Sequence, residues 1–78
     1  MRDEERERFI YAINMDGRLT FAARLVGIRM LLHGGQQDEA QIGRDIGCSR
    51  KQVRTAIKAL TGHGYGWLLN VPPREVRT

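Results

Sequence analysis

The run SRKQVRTAIK, residues 49–58, holds Arg50, Lys51, Arg54 and Lys58 and no acidic residue. Such groups pair readily with anionic oxygens, and a guanidinium can also donate two parallel hydrogen bonds to a planar pair of acceptors. At about 100° per residue, Lys51, Arg54, Thr55 and Lys58 fall on one face of a helix, with Arg50 at its edge. Val53, Ala56, Ile57 and Leu60 fall on the other, at the i, i+3, i+4, i+7 spacing of a buried stripe. A merely solvated helix alternates charge signs, because opposite charges at i,i+4 stabilise it and like charges repel. A cationic face without acids points instead to a polyanion.

Charge is segregated along the chain in the same sense. The net +4 divides into −2 over residues 1–16, +1 over 17–47 and +5 over 48–78. Segregation of this kind suggests the footprint of a polyanion partner, and on charge alone a solvated face is an equal alternative. Seventy-eight residues make one domain, 1–78, with a core too small to enclose a ligand pocket easily, so no small-molecule ligand is expected. Cys48 is the only cysteine, which excludes an intrachain disulfide. With His33 and His63 it is too few and too scattered for zinc. No paired carboxylates stand in an apolar setting and no motif places a nucleophile beside a base, so neither enzyme activity nor a cofactor is expected. No apolar run spans a membrane, and MRDEERER is the reverse of a signal peptide. A soluble, cytoplasmic protein is expected.

Around the basic run the elements can be placed in order. Residues 1–16 read as an N-terminal helix whose second half docks through Phe9, Ile10, Ile13 and Met15, with Glu4 and Arg8 as an i,i+4 pair and Gly17 as its stop. Thr20 caps a central helix, FAARLVGIRMLLH, with Phe21, Leu25, Ile28 and Leu32 at helical spacing and Ala22, Val26 and Leu31 broadening the stripe, Arg24 and Arg29 on the exposed side, and Gly27 as a point of close helix approach. Asp38 with Gln41, and Ser49 with Gln52, have the form of capping boxes. They open two short helices joined at GCS, so 38–61 reads as helix, turn, helix. In YGWLLNV, Tyr65, Trp67, Leu69 and Val71 alternate as in a strand, PP turns the chain, and EVRT forms a short return strand.

Gly43, Gly47 and Val53 carry a specific resemblance. A small residue in the first helix, a glycine four later at the turn and a β-branched residue six after that resemble the helix-turn-helix. With the following strand pattern, IGRDIGCSRKQVRTAIKALTGHGYGWL is similar to the two-helix-plus-wing segment of winged helix-turn-helix domains in bacterial and phage regulators and phage replication initiators. The fold this implies is mainly α with a small C-terminal β-hairpin: three to four helices and a short wing over 65–78.

The resemblance implies double-stranded DNA as partner, read by the second helix in the major groove. Arg50, Lys51 and Arg54, near the start of that helix, are then placed at base edges and Lys58 at a phosphate. Thr55 suits either a base or a phosphate. Ser49, beside the free N–H groups of the helix start, suits a phosphate. Gln52 is a capping partner first and a base reader second. Arg74, with Arg77, supplies the matching wing cations. A homodimer on a palindromic site is expected, with Phe9, Ile10 and Ile13 as the dimer surface; packing of that helix on its own domain is the alternative. Elsewhere structural roles are favoured: Tyr65 and Trp67 close the core, Cys48 is a buried structural thiol, and His63 is a turn residue. The function expected is a small transcriptional regulator, such as a repressor. A phage or plasmid accessory factor in replication, packaging or excision is a second reading. A winged-helix module that binds protein rather than DNA is the third.

Overall fold

A computed structural model describes residues 2–35 and 38–73. Four α-helices are followed by one 3-10 turn: α1 Asp3–Asn14, α2 Phe21–His33, α3 Glu39–Ile46, α4 Arg50–Gly62, then the 3-10 helix Gly66–Asn70. α2 is the hub, with α1, α3, α4 and the 3-10 helix all packed on it. Its buried side is Ala23, Val26, Gly27, Met30 and Leu31; of the expected stripe Val26 and Leu31 are buried, Leu25, Ile28 and Leu32 only half-buried, and Phe21 is 74% exposed. The helix is apolar nearly all round, so periodicity carries no information about which side faces inward. Gly27 does mark a close approach: a Cβ there would lie 3.2 Å from Leu60 Cδ2 and 3.3 Å from Ile13 Cγ2. α1, α2 and α4 meet at that point.

Helix ends account for much of the local order. Thr20 Oγ1 accepts from Ala23 N–H at 3.1 Å, as its N-cap position predicts. At the other end of α2, the buried Arg6 donates from Nε to the Leu31 carbonyl at 2.9 Å and from Nη1 to Asp3 at 2.8 Å. Last-turn carbonyls have no partner within their own helix, and a cation there also meets the negative end of the helix dipole. The ion pair that forms at the start of α1 is thus Arg6 with Asp3, where Glu4 with Arg8 was expected. α1 itself stops at Asn14, before Gly17, which keeps an ordinary negative φ.

The expected first strand of the hairpin and wing does not form, no strand occurs among the described residues, and the expected return strand EVRT lies outside them. Residues 65–73 instead form a clasp against α2 and the Gly34–Gly35 corner. Leu68 N–H bonds to Tyr65 O at 3.0 Å and Val71 N–H to Leu68 O at 3.2 Å, the i to i+3 ladder of a 3-10 turn. Leu68 and Val71, three apart, are buried, Tyr65 and Trp67 are half-buried, and Leu69 is exposed. The corner fits no other residue type. Gly35 N–H donates to Val71 O at 2.9 Å, and a Cβ on Gly35 would sit 1.8 Å from Leu68 O. Gly34 has φ +97°, and a Cβ on it would lie 2.9 Å from Pro73 Cα.

Two side-chain contacts tie the clasp to the rest. Trp67 packs on Phe9 of α1 with ring centroids 4.7 Å apart. Tyr65 Oη donates to Asp16 Oδ2 at 2.8 Å. Asp16 also accepts from Arg18 Nε at 3.0 Å, Nη2 at 2.8 Å and backbone N–H at 3.0 Å. The Arg18 bonds, then that of Tyr65, hold the Asp16 carboxyl well below its ordinary value of 3.8, and the same carboxylate pushes the Tyr65 phenol up. The aromatics read as core therefore lie within the fold.

Candidate nucleic-acid interface

The turn between α3 and α4 forms as the glycine spacing predicts. Gly47 takes the left-handed conformation with φ 76°, which only glycine adopts at little cost. Gly43 serves the turn more than a helix crossing: Cys48 N–H donates to its carbonyl at 2.8 Å, and a Cβ on it would lie 2.4 Å from Cys48 O. Ile42 and Val53 are buried in the joint, with Ile46, Cys48 and Ile57 half-buried around them. Ser49 and Gln52 close a complete capping box, Gln52 N–H to Ser49 Oγ at 3.1 Å and Ser49 N–H to Gln52 Oε1 at 2.7 Å. The Asp38 box is only half made. Asp38 accepts from Ala40 N–H, while Gln41 turns outward to bond Asp45 and Arg44.

This joint fixes the orientation of α4. Val53, Ala56 and Leu60 face the core, and Arg50, Lys51, Arg54, Thr55 and Lys58 are all exposed. Those five line one open groove of about 610 Å³. A second, more apolar groove of about 350 Å³ adjoins it through Lys51 and Thr55 and reaches Thr20 and Ala22 at the start of α2. The backbone N–H groups of Arg50 and Lys51 lie in the first turn of α4, so the positive end of the helix dipole adds to the side-chain charge. Ser49 and Gln52 sit at the edge of this face with their capping atoms already engaged; Gln52 keeps its amide N–H groups for any other partner.

One expectation about this face needs correction. Charge counting along α4 left all four cations unpaired, yet Arg54 Nε donates to Glu39 Oε2 at 3.1 Å across the helix pair. Arg50, Lys51 and Lys58 make no ion pair among the described residues. Residues 39 and 54 are brought together only by the crossing of α3 on α4, so no local pattern signals the contact. Arg24 and Arg29, expected as exposed, are also engaged. Arg24 Nε donates to Asp16 O at 3.2 Å, and Arg29, 13% exposed, pairs with Asp45 of α3. That ion pair borders a mostly apolar groove of about 600 Å³ lined by Leu25, Ile28, Leu32 and Ile46.

The remaining expected residues fall away from the face. Arg74 and Arg77 lie outside the described residues. Ile13 is fully buried and Phe9 and Ile10 pack partly on the same core, so α1 is docked on its own domain. Tyr11 of α1 is exposed, and so is Met15 just after it, which was expected to dock. His63 follows α4 as an exposed turn residue, with Gly64 at φ 87° and Tyr65 N–H returning to Leu60 O at 2.8 Å to end the helix. Among the described residues no cluster of His, Cys, Asp or Glu could hold a metal, and no helix is long and apolar enough to cross a membrane. Comparison of the chain with protein-family models, with curated proteins and with solved structures returned no match.

Proposed function

We propose that the chain binds duplex DNA through α4 and acts as a small transcriptional regulator of the helix-turn-helix kind. The observation that carries this reading is the cationic face of Arg50, Lys51, Arg54 and Lys58, held outward by a joint that buries the opposite face. A helix fits the major groove with its first turns at base edges, which puts Arg50, Lys51 and Arg54 at bases and Lys58, a turn further on, at a phosphate. One such helix makes few contacts, so two copies on a two-fold-related site supply the affinity.

Fluorescence anisotropy with a labelled duplex, at low and then physiological salt, tests the reading. Binding should weaken with salt at a logarithmic slope of about −0.9 per phosphate contact. An Arg50→Ala/Arg54→Ala variant should lose it, and Lys58→Ala should weaken all duplexes alike while flattening the slope by about one contact. Absence of binding at low salt would contradict the reading and direct the search to an acidic protein partner.

A further inference from the structure

The Arg54–Glu39 contact singles out one cation of the face. Arg54 bonds Glu39 through Nε at 3.1 Å, with the guanidinium side chain 58% exposed and the carboxylate side chain 31% exposed. A guanidinium held through Nε keeps both terminal amino groups, a planar donor pair that matches O6 and N7 of guanine. Arg50, Lys51 and Lys58 make no ion pair among the described residues, so of the candidate base-reading cations only Arg54 is held by a partner.

Glu39 is also the wrong sign for a surface that only attracts phosphates. A carboxylate at the rim of a cationic groove repels the DNA backbone and lowers binding to every sequence alike. Its presence there is accounted for if it contributes something other than charge. Orientation of a base-reading side chain is that contribution: a long side chain fixed before binding loses less freedom on contact, and its donors are aimed rather than averaged.

We infer that Glu39 is a positioning residue that presents Arg54 to a guanine, making one G·C pair a required position of the DNA site. The inference rests on the DNA-binding reading above. It assigns opposite effects to one side chain, since Glu39 weakens binding in general and sharpens selection at a single base pair.

The test starts from a duplex selected by the full chain from a randomised pool. Affinities are then measured for that duplex, for each single-base-pair variant of it, and for an unrelated duplex. The base pair read by Arg54 is the one at which Arg54→Ala alone loses preference. Glu39→Ala should bind the unrelated duplex about threefold more tightly, because one repelling charge is gone. Its preference for G·C at the Arg54 position should fall about tenfold, with other positions unchanged. Glu39→Gln, which keeps an acceptor oxygen, should fall between, and Glu39→Ala added to Arg54→Ala should change the preference no further. Thermal melting of the Glu39 variants should stay within a few degrees of the parent, as for an exposed pair.

Unchanged G·C preference in Glu39→Ala would overturn the inference while leaving DNA binding intact. Equal weakening at all duplexes together with a lowered melting temperature would make Glu39 a structural staple and overturn it as well. Failure of the parent chain to select or bind any duplex would overturn the DNA-binding reading itself, and this inference with it.

Discussion

Two neighbouring regions, the face of α4 and the clasp at residues 65–73, use similar numbers of distinctive side chains in opposite ways. On α4 the distinctive groups point out: Arg50, Lys51, Thr55 and Lys58 are exposed, and the one ion-paired cation of the face, Arg54, is held by a half-buried carboxylate. In the clasp they point in. Trp67 packs on Phe9, Tyr65 bonds Asp16, and Leu68 and Val71 are buried beside Gly34 and Gly35. An aromatic pair used for packing is unavailable for stacking on bases, whereas exposed cations of one sign repel each other slightly and remain open to an anionic partner. The clasp therefore contributes to stability, and the α4 face is the surface left open for the proposed recognition.

Exchanging alanine for glycine in the two settings breaks this comparison most sharply. Gly35→Ala must displace the Leu68 carbonyl, only 1.8 Å from its Cβ, and should cost about 3 kcal/mol or unfold the chain. Gly62→Ala, the same chemical change at the end of α4 with nothing within 4 Å, should be neutral or stabilise by up to about 0.5 kcal/mol. Urea midpoints of the two variants measure both. If they shift together, the clasp does not hold Gly35 as described.

Removal of the α4 cap has a smaller effect, about 1 kcal/mol of stability for Ser49→Ala. Its first turn carries Arg50 and Lys51, so duplex affinity should fall further than stability alone explains. Circular dichroism melts set against anisotropy separate the two. An equal loss in both would mean that the cap serves the fold only.

The subtlest effect is one of pH, at the tie between the clasp and the α1–α2 connection. The Asp16 carboxyl lies below its ordinary value of 3.8 in the folded chain, chiefly because Arg18 and Tyr65 bond its ionised form. An acid whose folded value is depressed contributes stability above its unfolded value, and that contribution disappears as pH falls toward the folded one. Asp16→Asn should thus melt below the parent at neutral pH, with the gap closing progressively under pH 4. Melts from neutral pH to acid check it, and a gap that stays constant would remove the carboxylate from the account.

What could be read before the structure followed the range of each interaction. The Ser49–Gln52 box and the left-handed Gly47 are contacts or conformations within a few residues, and both form as the residue types predict. The two faces of α4 were legible because apolar and charged residues separate cleanly at helical spacing. α2 offered no such contrast, and its buried side shares only Val26 and Leu31 with the expected stripe. The clasp was misread for a different reason. Tyr65, Trp67, Leu69 and Val71 alternate in type, yet the buried residues are Leu68 and Val71, three apart. The partner surface that selects that spacing is the Gly34–Gly35 corner, more than thirty positions earlier. Glu39 beside Arg54 is likewise a product of helix crossing, invisible to any count of charges along α4.

Backbone amide shifts in a two-dimensional NMR titration with duplex DNA at low salt test the division between the two regions most directly. The account predicts that the largest changes fall on residues 49–58, with Glu39 following as Arg54 engages and residues 65–73 nearly still. Changes centred on Tyr65–Val71 with α4 unmoved would contradict it, and would place recognition on the surface assigned here to stability.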